Sequence, residues 1–575
     1  MLRFCLDLCI TYDIVFHMPS IIKKKTKYST YYVIAESARV DGKPRIVKQW
    51  YLGTIEKVIQ LAENRVDKEV PREITCQEDG TISVLCRIAQ ELDLRNIINT
   101  HVRKRNQGMT PGDYILIAAL NRAAGATSKS KIKEWVNGTT LHLQMKIELE
   151  KLDSQNFWDH FDLFNTPMIE AIGDELARKA IDLEKVPLDC LIYDTTNYFN
   201  YWDVLNPSEL ARMTKSKAGK NNLRHIGLAL AVDRDWGLPL FHRLYPANDH
   251  DSTVFRKILT AFFEQISSVV SDKKAVTLVF DKGNNSEEAI VHLDESRHHF
   301  VGSRSPYHHM DLCAIPLEKY EPTEFLDGDG GSYSLPTIET RLDLYSKPRR
   351  VIVVYNEATF QRQCHRMEHH LEKAKAELSF FKKKAKIADG RSTEDSIRKI
   401  AQEIVEQHHV SGLLDIDVTE NEDGWHVSAR KNFPAIEEAK SRFGKQVLFS
   451  NRETVTRADI IKTYVDRAIV EDAFRITKSD SWVKWGPAFH WTDSKIRVHA
   501  LTCTIALLLV RIAHKRARQA GFAYGAERMM ELLSGVKSAL IFYPQSKKPQ
   551  RMLCSISKEQ RALLINLGHK FKDRM

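Results

Sequence analysis

Paired cysteines are missing from this sequence. Its nine cysteines (Cys5, Cys9, Cys76, Cys86, Cys190, Cys313, Cys364, Cys503 and Cys554) are scattered, with no C-x-x-C among them. An odd, dispersed set suits reduced thiols in a cytoplasmic protein and excludes a disulfide framework. A bilayer-length apolar run is also missing: the longest, Ala500 to Val510, is flanked by His499 and Arg511 and reads as a buried helix. Residues 1–17 are apolar but broken by Asp7 and Asp13, without a basic region ahead of a clean apolar core, so a signal peptide is not expected. Met18 precedes Pro-Ser-Ile-Ile-Lys-Lys-Lys and reads as the true start, which makes residues 1–17 a mis-assigned extension. His365 and His369 stand four apart beside Cys364, but no glutamate follows His365 as H-E-x-x-H requires, and a zinc site is not expected.

What is present is an ordinary globular composition, 43% hydrophobic and 28% charged over 575 residues, enough for about three or four domains. Net charge is +10, with a basic C-terminal part running from Arg511 through Lys515, Arg516, Arg518, Lys547, Lys548, Arg551, Lys558 and Lys570 to Arg574. Such a bias favours polyanionic partners.

Residues 1–81 form a first region. Alternating runs at 32–37 and 45–50 around Asp41-Gly42 predict a β-hairpin, with basic residues able to meet DNA. Residues 82–187 are helical. Thr110-Pro111 starts one helix that ends at Gly125, and Ser128 starts another through Val136; with Lys129, Lys131 and Lys133 on the second, the pair resembles a helix-turn-helix. Residues 188–303 change character. Strands are expected at 188–194, 223–233 and 238–245, then a helix from Asp251, a strand 275–281, a helix 286–293 and a strand 299–302. Three strands, helix, strand, helix, strand is the order of a ribonuclease-H-like α/β core: a mixed five-stranded sheet with flanking helices. Residues 304–450 interrupt it as an α+β insertion. Phe360, Cys364, Met367, Leu371, Ala374, Leu378 and Phe381 step as a heptad seam, and a return helix through Ile397 to Val405 makes a helical hairpin with strands around it. Residues 451–520 complete the core, and 521–575 are a basic C-terminal region.

The chemistry gathers on residues 464–478. At helical period Tyr464, Arg467, Glu471, Arg475 and Lys478 share one face, with Val465, Ile469 and Ala473 off it as part of an apolar back. A carboxylate amid cations suits a metal ion beside phosphates, although a solvated face laced with ion pairs reads the same way. Asp194 and Asp281 each end an expected strand. Carboxylates at adjacent strand ends can share two Mg²⁺ ions for in-line attack at phosphorus, whereas either aspartate alone also fits a strand-end turn.

The spacing Tyr464-x2-Arg467-x3-Glu471-x6-Lys478 resembles the Y-R-E-K signature of DDE transposases of the insertion-sequence-four group. Tyr193-Asp194-Thr195-Thr196 and Phe280-Asp281-Lys282-Gly283 look like that family's two aspartate motifs. The resemblance covers roughly residues 188–510. It implies Mg²⁺-dependent cleavage at element ends and transfer of the 3′-hydroxyl to target DNA, by a homodimer on paired ends. Asp194, Asp281 and Glu471 would be the metal ligands, with Tyr464, Arg467 and Lys478 on DNA phosphates. Many relatives carry tryptophan after the signature arginine, where this sequence has Ala468; Trp482, Trp485 and Trp491 are alternative sources of base stacking, or core residues. A ribonuclease-H-fold nuclease without strand transfer and a non-catalytic DNA-binding protein are the competing readings.

Overall fold

The computed structural model describes residues 18–40, 43–63, 70–103, 108–200, 207–214, 222–269, 274–326, 332–385, 393–421, 424–479, 481–486, 492–544, 546 and 548–569. The chain divides into two compact units, residues 1–76 with 539–553 and residues 77–538 with 554–575.

In the smaller unit β1 (Met18–Lys25), β2 (Thr30–Val40) and β3 (Lys43–Gly53) form an antiparallel sheet in that order. β2 and β3 are the expected hairpin; its turn at Asp41-Gly42 lies outside the described residues. β1 is an additional strand, whose alternation is masked in the sequence by consecutive lysines at 23–25. Val33 and Ala35 on β2 are fully buried, whereas Ile46, Val47, Trp50 and Tyr51 on β3 are exposed. A helix Ile55–Glu63 and a strand β4 (Glu73–Glu78) follow.

The larger unit opens with helices Gly80–Glu91, Leu94–His101 and Pro111–Ala124, then Ser154–Phe161 and Thr166–Glu184. Thr110 and Asp113 cap the third reciprocally, with Pro111 at its first position, and every residue of that helix is buried. The two helices expected to make a helix-turn-helix are both present, the second opening as a single 3-10 turn. Lys129–Lys131 make a 3-10 turn, and the second helix is six residues, Ile132–Asn137. Lys129 packs over the rings of Phe157 and Phe161, and Lys133 pairs with Glu150 at 2.8 Å.

The central layer is a sheet built from β5 (Cys190–Asn200), β6 (Arg212–Met213), β7 (Arg224–Asp233), β8 (Pro239–Pro246), β9 (Thr277–Val279) and β10 (His299–Arg304). β8, β7 and β5 run antiparallel; β5, β9 and β10 run parallel. Strand order and directions follow the expected pattern, but the sheet does not stop at five. β11 (Glu321–Leu326), β12 (Ser332–Leu344) and β13 (Lys347–Tyr355) extend it, while β14 (Leu414–Asn421) and β15 (Gly424–Lys431) form a separate pair. β16 (Lys445–Ser450) lies between β10 and β13, antiparallel to both. The full order is β11-β12-β13-β16-β10-β9-β5-β7-β6, with β8 on β7, ten strands in all. The apolar runs Val351–Tyr355 and Val447–Phe449 are buried, as central strands demand.

Four of the seven expected seam residues pack as a seam: helices Glu357–Ala385 and Glu394–Gln407 bury Met367, Leu371, Ala374 and Leu378 with Ile397, Ala401, Ile404 and Val405, while Phe360 and Cys364 are only partly buried and the Phe381 side chain lies outside what is described. A helix Phe433–Ser441, capped by Asn432, is an element the sequence reading lacks. Helix Asp493–Gln519 contains the longest apolar run and is buried from Val498 to Ala513 except at Thr504. β17 (Lys537–Phe542) and β18 (Gln550–Leu553) join β4 in a three-stranded sheet. The basic C-terminal part is partly internal. Arg511 and Lys515 are 3% and 4% exposed, pairing with Asp472 and Glu184, and Arg516 pairs with Glu184 and Glu91.

Candidate active site

The stretch 464–478 is two helices, not one. Thr456 and Asp459 cap Arg457–Val465, and Ala468–Lys478 follows after a break at Asp466-Arg467. There the backbone tightens to three-residue bonds, with the carbonyls of Tyr464, Asp466 and Arg467 accepting from the amides of Arg467, Ile469 and Val470. The break rotates the first helix relative to the second. Val465, expected on the apolar back, is therefore 51% exposed, and the buried side consists of Val470, Ala473, Phe474, Ile476 and Thr477.

The turn between β7 and β8 fixes where the second helix begins. Asp233 accepts hydrogen bonds from the amides of Asp235, Trp236 and Leu238, and burial nevertheless pushes its carboxyl up to about 6. Gly237 has φ of 69°, and a side-chain carbon there would lie 2.9 Å from Ile469. Arg234, in the same turn, reaches Asp466 at 3.8 Å and Asp189 at 3.3 Å.

β5 distributes its side chains to two layers by simple alternation. Asp194 does not end this strand, as the sequence reading has it, but lies inside it opposite Leu230; the parallel pairing with β9 stops two residues earlier at Ile192. Asp281 follows the end of β9, ahead of the 3-10 turn Lys282–Asn284. Both aspartates thus stand where β5 and β9 part.

Arg467 brings the three acids together. Its guanidinium lies 2.9 Å from Glu471, 3.8 Å from Asp194 and 4.0 Å from Asp281. Carboxylates 277 residues apart at the extremes therefore surround one positive group. Burial alone would raise the Asp281 carboxyl. The Arg467 charge, the Lys282 amide and the hydroxyls of Tyr464 and Ser303 outweigh it and hold the group below the usual carboxylate range. The Tyr464 hydroxyl is 2.9 Å from Asp281 Oδ1 and 2.8 Å from Ser303 Oγ, and Ser303 lies 3.2 Å from the same carboxylate oxygen. Two hydroxyl protons thus serve three oxygens. Burial first, then the Asp281 charge, raises the Tyr464 phenol and keeps it a donor.

At the far end of the helix Lys478 donates to Thr196 Oγ1 at 2.5 Å and lies over the Tyr198 ring. Tyr198 hydrogen-bonds Thr477 and stacks on Trp485, centroids 4.1 Å apart and planes at 11°. Trp485 is 2% exposed and also packs edge-on against His499, so it is a core residue and is not presented to a base. Trp482 is partly buried, and Trp491 lies outside the described residues. Arg475 pairs with Asp472 and Glu527.

Three carboxylates are hard oxygen donors of the type Mg²⁺ takes, and Glu471, 56% exposed, is free to adjust. Among the described residues no group of three or more His, Cys, Asp or Glu is placed to hold a metal ion, and the Arg467 guanidinium stands among the three acids. Thr195, Thr196 and Ser303 are site residues that sequence reasoning missed; the first two directly follow Asp194, the signal that could have found them.

No family model matches the chain, and no curated protein matches it. Among solved structures it is similar to the cryo-EM structure of a piggyBac transposase synaptic complex with hairpin DNA, at a TM-score of 0.36 and 7% identity, over 79% of this chain and 78% of that one.

Proposed function

We propose that this chain is a DDE transposase with a ribonuclease-H-like core, cleaving DNA at the ends of its element and joining the freed 3′-hydroxyl to target DNA. The observation that carries the reading is the gathering of Asp194, Asp281 and Glu471 around the Arg467 guanidinium. Mg²⁺ held by these carboxylates would polarise a phosphoryl oxygen and lower the pKa of an attacking water or hydroxyl. The chain's own residues do the rest. Tyr464 and Ser303 orient the Asp281 carboxylate and keep it ionised. Arg467, turned from the acids to a scissile phosphate, offers a planar two-pronged donor to its non-bridging oxygens. Lys478, exposed at the helix end, contacts a neighbouring phosphate. The Y-R-E-K spacing supports the insertion-sequence-four assignment, and a homodimer on paired ends belongs to the same proposal.

The test is a strand-transfer assay with labelled element ends, comparing wild type with Asp194→Asn and Glu471→Gln. Both variants are expected to retain DNA binding and to lose cleavage and joining by at least about a thousandfold. Cleavage at wild-type rate in both would end this reading, and cleavage without joining in the wild type would make the chain a nuclease.

A further inference from the structure

Beside the two aspartate motifs stands an acid that belongs to neither. Asp251 is the first residue of helix Asp251–Val269, which packs on the 3-10 turn Lys282–Asn284. An acid in a first turn is ordinarily accounted for by the helix dipole. Asp251 reaches across the fold instead: its Oδ1 accepts a 3.0 Å hydrogen bond from the Thr195 hydroxyl. Thr195 in turn donates its backbone N–H to Asp194 Oδ1 at 2.8 Å. Alternation along β5 puts the Thr195 side chain on the face opposite Asp194, the face where Tyr193 packs on Phe255 of the same helix. A side-chain carbon added at Gly283, two residues beyond Asp281, would stand at ordinary van der Waals distance, 3.5 Å, from the second oxygen of Asp251.

Tyr245 completes the arrangement. Its phenol is largely buried near Asp251, and burial, followed by the Asp251 charge, raises its pKa above the ordinary value. The ring crosses Gly227, its partner on β7, so closely that a side-chain carbon there would sit 2.3 Å from it. Gly227 thus makes room for the Tyr245 ring.

We propose that Asp251 is a positioning residue, which through its hydrogen bond to Thr195 on one side and the packing of its helix on the 282–284 turn on the other sets the separation of Asp194 and Asp281, and with it the affinity of the acidic cluster for a divalent cation. The proposal rests on the DDE reading for the identity of what the cluster binds.

The experiment is Mn²⁺ titration of the full chain followed by electron paramagnetic resonance, with thermal melts to confirm folding. Asp251→Ala is expected to weaken Mn²⁺ binding about tenfold. Asp251→Asn keeps an oxygen for Thr195 and is expected to stay within about threefold of wild type. Thr195→Val should reproduce the alanine variant, and the double variant should be no weaker than either single one, the signature of one shared route. Wild-type affinity in folded Asp251→Ala overturns the proposal, as do additive losses in the double variant. A loss in Asp251→Asn equal to that in Asp251→Ala also overturns it, because the acid would then be a ligand itself. A wild-type chain that binds no Mn²⁺ defeats the DDE reading and this inference together, whereas equal binding by wild type and alanine variant defeats this inference alone.

Discussion

The Tyr464 hydroxyl donates to Asp281 across 183 residues of sequence, at 2.9 Å, from a ring that is 4% exposed. A bond to a charged acceptor in that setting contributes about 1.5–3 kcal/mol. Tyr464→Phe is therefore expected to lower unfolding free energy by that amount in urea titrations. It should also slow cleavage more than it weakens DNA binding, since the orientation of Asp281 is what is lost.

Removing the cation from the acidic cluster should expose its self-repulsion. Arg467→Met leaves Asp194, Asp281 and Glu471 facing one another without their shared counter-charge. In a chelating buffer the variant is expected to melt below wild type, by about 1–3 kcal/mol in stability. Added Mn²⁺ should then raise its melting temperature more than it raises that of wild type. Equal shifts in both proteins would show that Arg467 does not compete with the ion.

Asp294 gives a pH signature away from the site. It is 6% exposed and takes a two-pronged contact from Arg349, itself 3% exposed, at 3.0 and 2.5 Å. Burial would raise this carboxyl, but the hydrogen bonds and charges of Arg349 and Lys347 hold it below the ordinary value. A depressed carboxyl contributes stability above its unfolded pKa, about 3.9, and loses it as pH falls through the folded value. Asp294→Asn is expected to cost about 3 kcal/mol at pH 7. The gap between variant and wild type should narrow below about pH 4, as read by denaturant unfolding at each pH.

Trp485 should behave as packing. Trp485→Ala removes the ring stacked on Tyr198, and the expected cost is about 3–5 kcal/mol of stability. Because Tyr198 also holds Thr477 beside Lys478, the variant should lose DNA cleavage through the loosened helix end, at temperatures near its lowered melting point first.

The strand order of the core was readable because each strand is a short apolar run closed by turn residues, as at Asp233 to Gly237 before β8. The three acids stand out in the sequence by their spacing and neighbours, and the fold sets them around Arg467. Harder were features fixed by tertiary contact. The break at Asp466-Arg467 leaves no glycine or proline as a marker, being set by the Arg234 turn packed beneath it. Asp194 looked like a strand end because the apolar run stops there, yet β5 continues through Thr195 to Asn200 as its polar residues find partners in β7 and the signature helix. The partners of the lysines at 129 and 133 left no mark in the sequence: one lies over two phenylalanines and the other pairs with Glu150.

The ten-stranded sheet changes what the long interruption means. Because β16 takes its hydrogen bonds from β10 on one side and β13 on the other, the interrupting segment is woven into the molecule and cannot be detached like a bolt-on module. Trimming the chain to a minimal catalytic fragment by cutting out residues 304–450 would strip β10 of its neighbour and leave a raw, sticky margin open to other chains. Any shortened version has to keep at least β16, and β13 to shield it.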